Sequence, residues 1–185
     1  MFDPANWYWI REDGALYSSA SRAFVAANDT DYVLWLRTGA MPTPYPRDAS
    51  GAESEAELAE VLRPYGVFVR LADYAAAKRY ALETGGFVYG GNLIATDRDS
   101  QAAIGNGALA ATVIGSEFST AWKCADGSFL SLGQDEMLAM ATAVMNFISS
   151  CFSAEAVIVR AIEEGNIANQ QEVDAAEWPS ARQAQ

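Results

Sequence analysis

The sequence predicts an α+β fold: a small aromatic β-rich N-terminal module, then a helix–hairpin–helix–hairpin–long helix domain. Three observations predict it. Two glycine-centred turn signals, Gly90-Gly91-Asn92 and Asp126-Gly127, each lie between short apolar runs, and a helical stretch separates them. Residues 134–164 carry a helical repeat of apolar positions. Residues 1–46, a quarter of the chain, hold 9 of its 21 aromatic residues.

The elements follow in order. Trp7–Ile10 and Ala15–Ser18 flank Asp13-Gly14 and read as a hairpin, with Ala23–Ala27 as a third strand. Tyr32–Leu36 fits a short helix as well as a strand, since Asn28, Asp29 and Thr30 are N-cap residue types and Gly39 would end a helix. Pro42-Thr43-Pro44-Tyr45-Pro46 forces an extended segment. It reads as a stiff spacer, the other reading being a ligand for a proline-recognition domain. Glu53–Arg63 is an acidic helix stopped by Pro64, followed by extended Val67–Val69.

From Leu71 the character changes. Asp73 can cap a helix through Glu83, stopped by Thr84-Gly85-Gly86. The first hairpin (Phe87–Tyr89 with Leu93–Ala95), a helix over about 100–114 and the second hairpin (Trp122–Cys124 with Ser128–Leu130) follow. A long helix then opens at Ser131 or Gly133 and ends at Gly165, with a short acidic helix near 170–176 beyond it. The chain thus divides into the module 1–46, a Pro-bounded linker 47–70 with its acidic helix, an α+β domain 71–177 and a polar tail 178–185.

The long helix would run ~45 Å at 1.5 Å per residue. Met137, Ala141, Val144, Ile148, Cys151, Ile158 and Ile162 mark one apolar stripe; Leu138, Met145, Phe152 and Val159 mark a second at spacing seven. Two stripes mean burial on more than one side. Either the helix is wrapped by its own hairpins, or one stripe packs against the same helix of another subunit.

Composition excludes several chemistries. With 12 Lys+Arg against 24 Asp+Glu the net charge is −12, which disfavours binding to nucleic acid or to an anionic membrane surface. The absence of histidine removes Ser-His-Asp and Cys-His catalysis and His-ligated metals. Cys124 and Cys151 form no CxxC pair and read as two buried thiols, a disulfide between them being the alternative. Asp97 and Asp99 read as helix-capping residues rather than a cation site, and the glycine pairs as turns, since no phosphate-binding fingerprint is present. No signal-peptide pattern opens the chain, and no apolar run of ~20 residues is evident, so a soluble protein made in a reducing cytoplasm is expected. No cofactor, metal or catalytic residue is expected. The candidate interaction surface is Trp7, Trp9, Trp35 and Tyr45 in the aromatic module, with Leu138, Met145, Phe152 and Val159 on the long helix. The aromatics would stack on sugar rings or form the core of a small sheet.

Residues 74 to about 175 resemble an uncharacterised domain family found in bacteriophage and prophage proteins near tail-fibre genes. The resemblance rests on Tyr74–Tyr80 with Glu83–Gly86, Gly91–Asp97 with Ser100, Phe118 with Trp122–Gly127, and Cys151–Ala156 with Ile162–Gly165. The aromatic N-terminus and its Pro segment are similar to the front of small proteins encoded beside tail fibres. That family has no established activity and lends no catalytic residue. The resemblance implies a setting: a non-enzymatic virion-tail protein made in the host cytoplasm, structural or adaptor in role, touching a tail or tail-fibre protein. A tail-fibre assembly chaperone is the alternative, and a protein that binds or acts on host surface glycans is the third reading. A homo-oligomer is expected, a trimer being the form that fibres suggest. Residues 124–177 carry nine acids against Arg160 alone, which points to a basic patch on the partner.

Overall fold

The computed structural model describes residues 2–182, which fall into two compact units that divide between Tyr74 and Ala75. In the first unit β1 (Tyr8–Ile10), β2 (Leu16–Ser18) and β3 (Ala23–Val25) form the expected antiparallel meander. Gly14 sits in the left-handed region at the first turn (φ 83°). Helix α1 (Thr30–Leu36) resolves the helix-or-strand ambiguity: Asp29 caps it, accepting from the Tyr32 amide at 3.0 Å.

Two expectations are corrected here. The Pro segment is no free spacer: Thr43–Pro44 is strand β4, parallel to β1 at the sheet edge, and the Tyr45 amide donates to the Ile10 carbonyl at 2.8 Å. Pro44 is tolerated because it lies on an edge strand, where a missing N–H breaks no central ladder. Nor is 47–70 a linker. Helix α2 (Glu55–Leu62), capped by Ser54, buries Leu58 and Leu62 completely against Trp9, Tyr17, Tyr45 and Val67. A bidentate tie fastens the approach to this helix: Glu53 accepts from the Arg11 Nε at 2.8 Å and from the Glu12 amide at 2.7 Å. On the other face of the sheet Tyr8 and Leu16 pack on Tyr32 and Trp35 of α1. The first unit is therefore a four-stranded sheet with a helix on each face.

The second unit holds α3 (Leu71–Thr84, whose first turn precedes the unit boundary), the hairpin β5–β6 (Phe87–Tyr89, Asn92–Ile94) and α4 (Arg98–Ile114). The hairpin β7–β8 (Ser119–Lys123, Phe129–Gly133), α5 (Gln134–Glu163) and α6 (Gln170–Ala175) follow. The two-residue turn between β5 and β6 needs φ > 0 at both positions, and Gly90 (53°) and Gly91 (81°) supply it. Helix α3 starts two residues before the expected cap, and Asp73 lies in its first turn, bound by Arg70. Helix α4 is capped by Asp97, which confirms that carboxylate as a structural group. Helix α5 opens on Gly133, whose amide donates to Glu136 at 2.6 Å.

Helix α5 is the spine of this unit. Met137, Met140, Val144, Phe147, Ile148 and Cys151 pack on Ile104 and Ala111 of α4, on Phe87 and Ile94 of the first hairpin and on Leu132 of the second. Its uncharged span 137–154 makes it long and apolar enough to cross a membrane by length and composition, contrary to the expectation that no such run exists. Thr142, Asn146, Ser149, Ser150 and Ser153 interrupt the run in the sequence, but all lie on one side of the helix. The expected polar tail is also corrected in part. The Val88 amide donates to the Ala181 carbonyl at 2.9 Å, and the Trp178 Nε1 donates to the Val173 carbonyl at 2.8 Å, so 178–182 belong to the unit. Residues 183–185 of that tail lie outside the described residues.

Candidate functional site

The structure separates the expected surface residues into two groups. In the first unit Trp9, Trp35 and Tyr45 are core, not surface. Trp9 is 1% exposed beneath α2. The Trp35 ring is enclosed by Trp7 edge-on at 5.0 Å, Tyr8 at 4.9 Å and Tyr32 stacked at 6.2 Å. Trp7 is half-buried, and its Nε1 donates to Thr43 Oγ1 at 2.8 Å, clamping β4. The aromatic density that suggested a binding surface is the material of two small cores. A sheet of three-residue strands must fill its volume with large side chains.

A cleft of about 510 Å³ remains in this unit, lined among others by Tyr8, Ser18, Asp29, Asp31 and Trp35. Several of its polar groups serve the fold. Asp29 caps α1, and burial raises the Tyr8 hydroxyl pKa while a hydrogen bond with Ser18 opposes the shift. Tyr17, beneath the same sheet, is pushed up to about 12 by burial, and its hydroxyl has no partner.

In the second unit a cluster missed from sequence surrounds Glu83. This carboxylate is fully buried; its Oε1 accepts from Arg79 Nη1 at 2.7 Å and from Arg98 Nη2 at 2.6 Å. Arg79 also donates through Nε to Glu155 at 2.8 Å, and its guanidinium lies 4.4 Å from the Phe152 ring centre. Burial works against the charge on Arg79, but the two carboxylates more than offset it and its pKa rises. Glu83 Oε2 has no partner. Nearby Cys151 is pushed up to about 11, first by burial and then by the Glu83 charge, so it is a poor nucleophile at neutral pH. This cluster ties α3, α4 and α5 together. Its i, i+4 pair Arg79–Glu83 was readable in the sequence; Arg98 and Glu155 arrive only through the tertiary fold. Cys124 and Cys151 are both buried free thiols, as read, and the disulfide alternative falls away. Among the described residues no group of three or more Cys, Asp or Glu is placed to hold a metal ion.

The second-stripe residues divide. Leu138 and Val159 are half-buried, whereas Met145 (52%) and Phe152 (46%) are exposed. They edge a continuous exposed face of α5 without a charge between Glu136 and Glu155. Three of its hydroxyls fold back on the helix: Thr142 donates to the Leu138 carbonyl at 2.8 Å, Ser150 to the Asn146 carbonyl at 2.8 Å and Ser153 to the Ser149 carbonyl at 3.0 Å. Donors already paired within the helix lower the desolvation cost of covering this face. In a chain of net charge −12, an uncharged face of this length has the character of a contact surface.

A family model described as a domain of unknown function, DUF4376, matches residues 69–177. No curated protein and no solved structure matches the chain. The matched span contains the Glu83 cluster and the whole of α5.

Proposed function

The chain belongs to the DUF4376 family of unknown function, and on that premise we propose that it is a non-enzymatic bacteriophage tail protein, a structural or adaptor component that works through protein contacts. The observation that carries the contact role is the uncharged exposed face of α5. The tail setting rests on the resemblance of residues 74–175 to a phage and prophage family found beside tail-fibre genes. Location in the virion tail after synthesis in the host cytoplasm belongs to the same proposal. So does a tail or tail-fibre partner, with neither nucleic acid nor membrane engaged. The burial of Trp9, Trp35 and Tyr45 takes three of the four expected aromatics away from a sugar-stacking surface, and the fourth, Trp7, is half-buried.

Quantitative mass spectrometry of purified virions tests the reading. Recovery in fixed proportion to the tail proteins is expected. Presence in infected cells but absence from particles would replace the structural role with that of an assembly chaperone. Absence from a phage context altogether would overturn both.

A further inference from the structure

We infer that α5 is the self-association element of this protein, pairing antiparallel with α5 of a second copy about a two-fold axis level with the stretch between Asn146 and Ser149. The inference goes beyond the tail proposal and does not rest on it.

The face reads as its own complement. Asp135, Thr142, Asn146, Ser149, Ser153 and Arg160 are all exposed and recur at steps that keep them on one side of the helix. An antiparallel partner brings Asn146 opposite Ser149 and Thr142 opposite Ser153. One turn further out, exposed Ala139 meets exposed Ala156. These side chains are small or amide-bearing, so the helix axes can approach closely. At both ends Asp135 of one copy then faces Arg160 of the other. Neither residue has an ion-pair partner among the described residues, and Arg160 is the only base between residues 124 and 177. Along one flank, Met145 of one copy lies within about 3 Å, along the helix, of the level of Phe152 of the other, so that each can cover the other.

Charge fixes the direction. A parallel, in-register pair or trimer would set Arg160 against Arg160 and Asp135 against Asp135, whereas the antiparallel pair joins opposite charges twice. The contact is modest. About ten side chains from one helix are fewer than the ~20–30 per side of a standard interface. A dimer in the micromolar range follows.

Sedimentation equilibrium of the full chain at about 1–200 µM tests this, with circular dichroism on each variant to confirm the fold. The mass is expected to rise with concentration from 19.9 kDa toward twice that value. Arg160→Glu alone and Asp135→Arg alone should each weaken association at least about fivefold, because each replaces two attractions by two repulsions. The double variant D135R/R160E should restore it, a rescue that a folding defect cannot produce. Ser149→Arg, at the close-packed centre, should leave a monomer. A monomer across the whole range would overturn the inference. So would a trimer, a dimer indifferent to both charge reversals, or a chain that partitions onto neutral phosphatidylcholine vesicles through this face instead of self-associating.

Discussion

Glu83 is the buried carboxylate of the cluster that ties three helices of the second unit together. Replacing it with Gln keeps its shape but removes the charge that faces two guanidiniums, one of them mostly buried. Breaking a buried ion pair from one side costs about 3–5 kcal/mol, and the half-exposed Arg98 places this case at the lower end. Urea unfolding of Glu83→Gln should show that loss; a change below about 1 kcal/mol would mean that Arg79 and Arg98 find water instead. Cys151 gives a second residue-scale test. With both thiols buried and Cys151 raised to about 11, the native chain should react negligibly with a thiol reagent at pH 8 and release two equivalents in denaturant. Rapid labelling of the folded chain would contradict the packing around α5.

At the scale of elements, the parts legible in the sequence are those specified locally. The hairpin at Gly90-Gly91, the cap at Asp97 and the length of α5 each follow from residues adjacent in the chain. The remaining features depend on distant partners. Nothing near Thr43 announces that it pairs with Trp9, and a Pro-rich run is extended whether or not a strand lies beside it. The pattern of helix α2 is local but its docking is not, since an acidic helix with Leu58 and Leu62 on one side has the same sequence free or docked. The same limit governs the candidate site: exposure of Met145 and Phe152, and burial of Trp9 and Trp35, are outcomes of packing that spacing alone leaves open. Leu58→Ala distinguishes a docked α2 from a linker. A fully buried leucine truncated to alanine costs about 2–5 kcal/mol, and the Trp9 emission should shift red as its cover loosens. An unchanged unfolding midpoint would return 47–70 to the status of a linker.

For the molecule as a whole, the consequence of its charge is a stability that falls at both ends of the pH scale for different reasons. On the acid side, hydrogen bonds from Arg11 and the Glu12 amide hold Glu53 below its ordinary 4.5, and Ser50 with neighbouring amides holds Asp48 below 3.8. In the second unit, Ser100 holds Asp97 down and Ser128 holds Asp126 down. A lowered carboxylate pKa means that the unfolded chain binds protons first, so this stabilisation is complete above about pH 5 and is lost as pH falls through the native values. On the alkaline side the sign reverses. Tyr17, raised from 10.0 to about 12, and Cys151, raised from 9.0 to about 11, stabilise fully below pH 9. Their contribution is lost as pH climbs through the native values, because the unfolded chain releases those protons earlier. Between these limits a net −12 acts against compactness, and added salt screens it. Thermal melts should therefore show a plateau between about pH 5 and 9, a fall on either side, and a rise in Tm within the plateau from 20 to 300 mM NaCl. Tyr17→Phe, which removes the unpartnered buried hydroxyl, should flatten the alkaline limb without moving the acid one. An alkaline limb unchanged in that variant would show that Tyr17 ionises as freely in the folded chain as in the unfolded one, and that it does not lie beneath the sheet in solution.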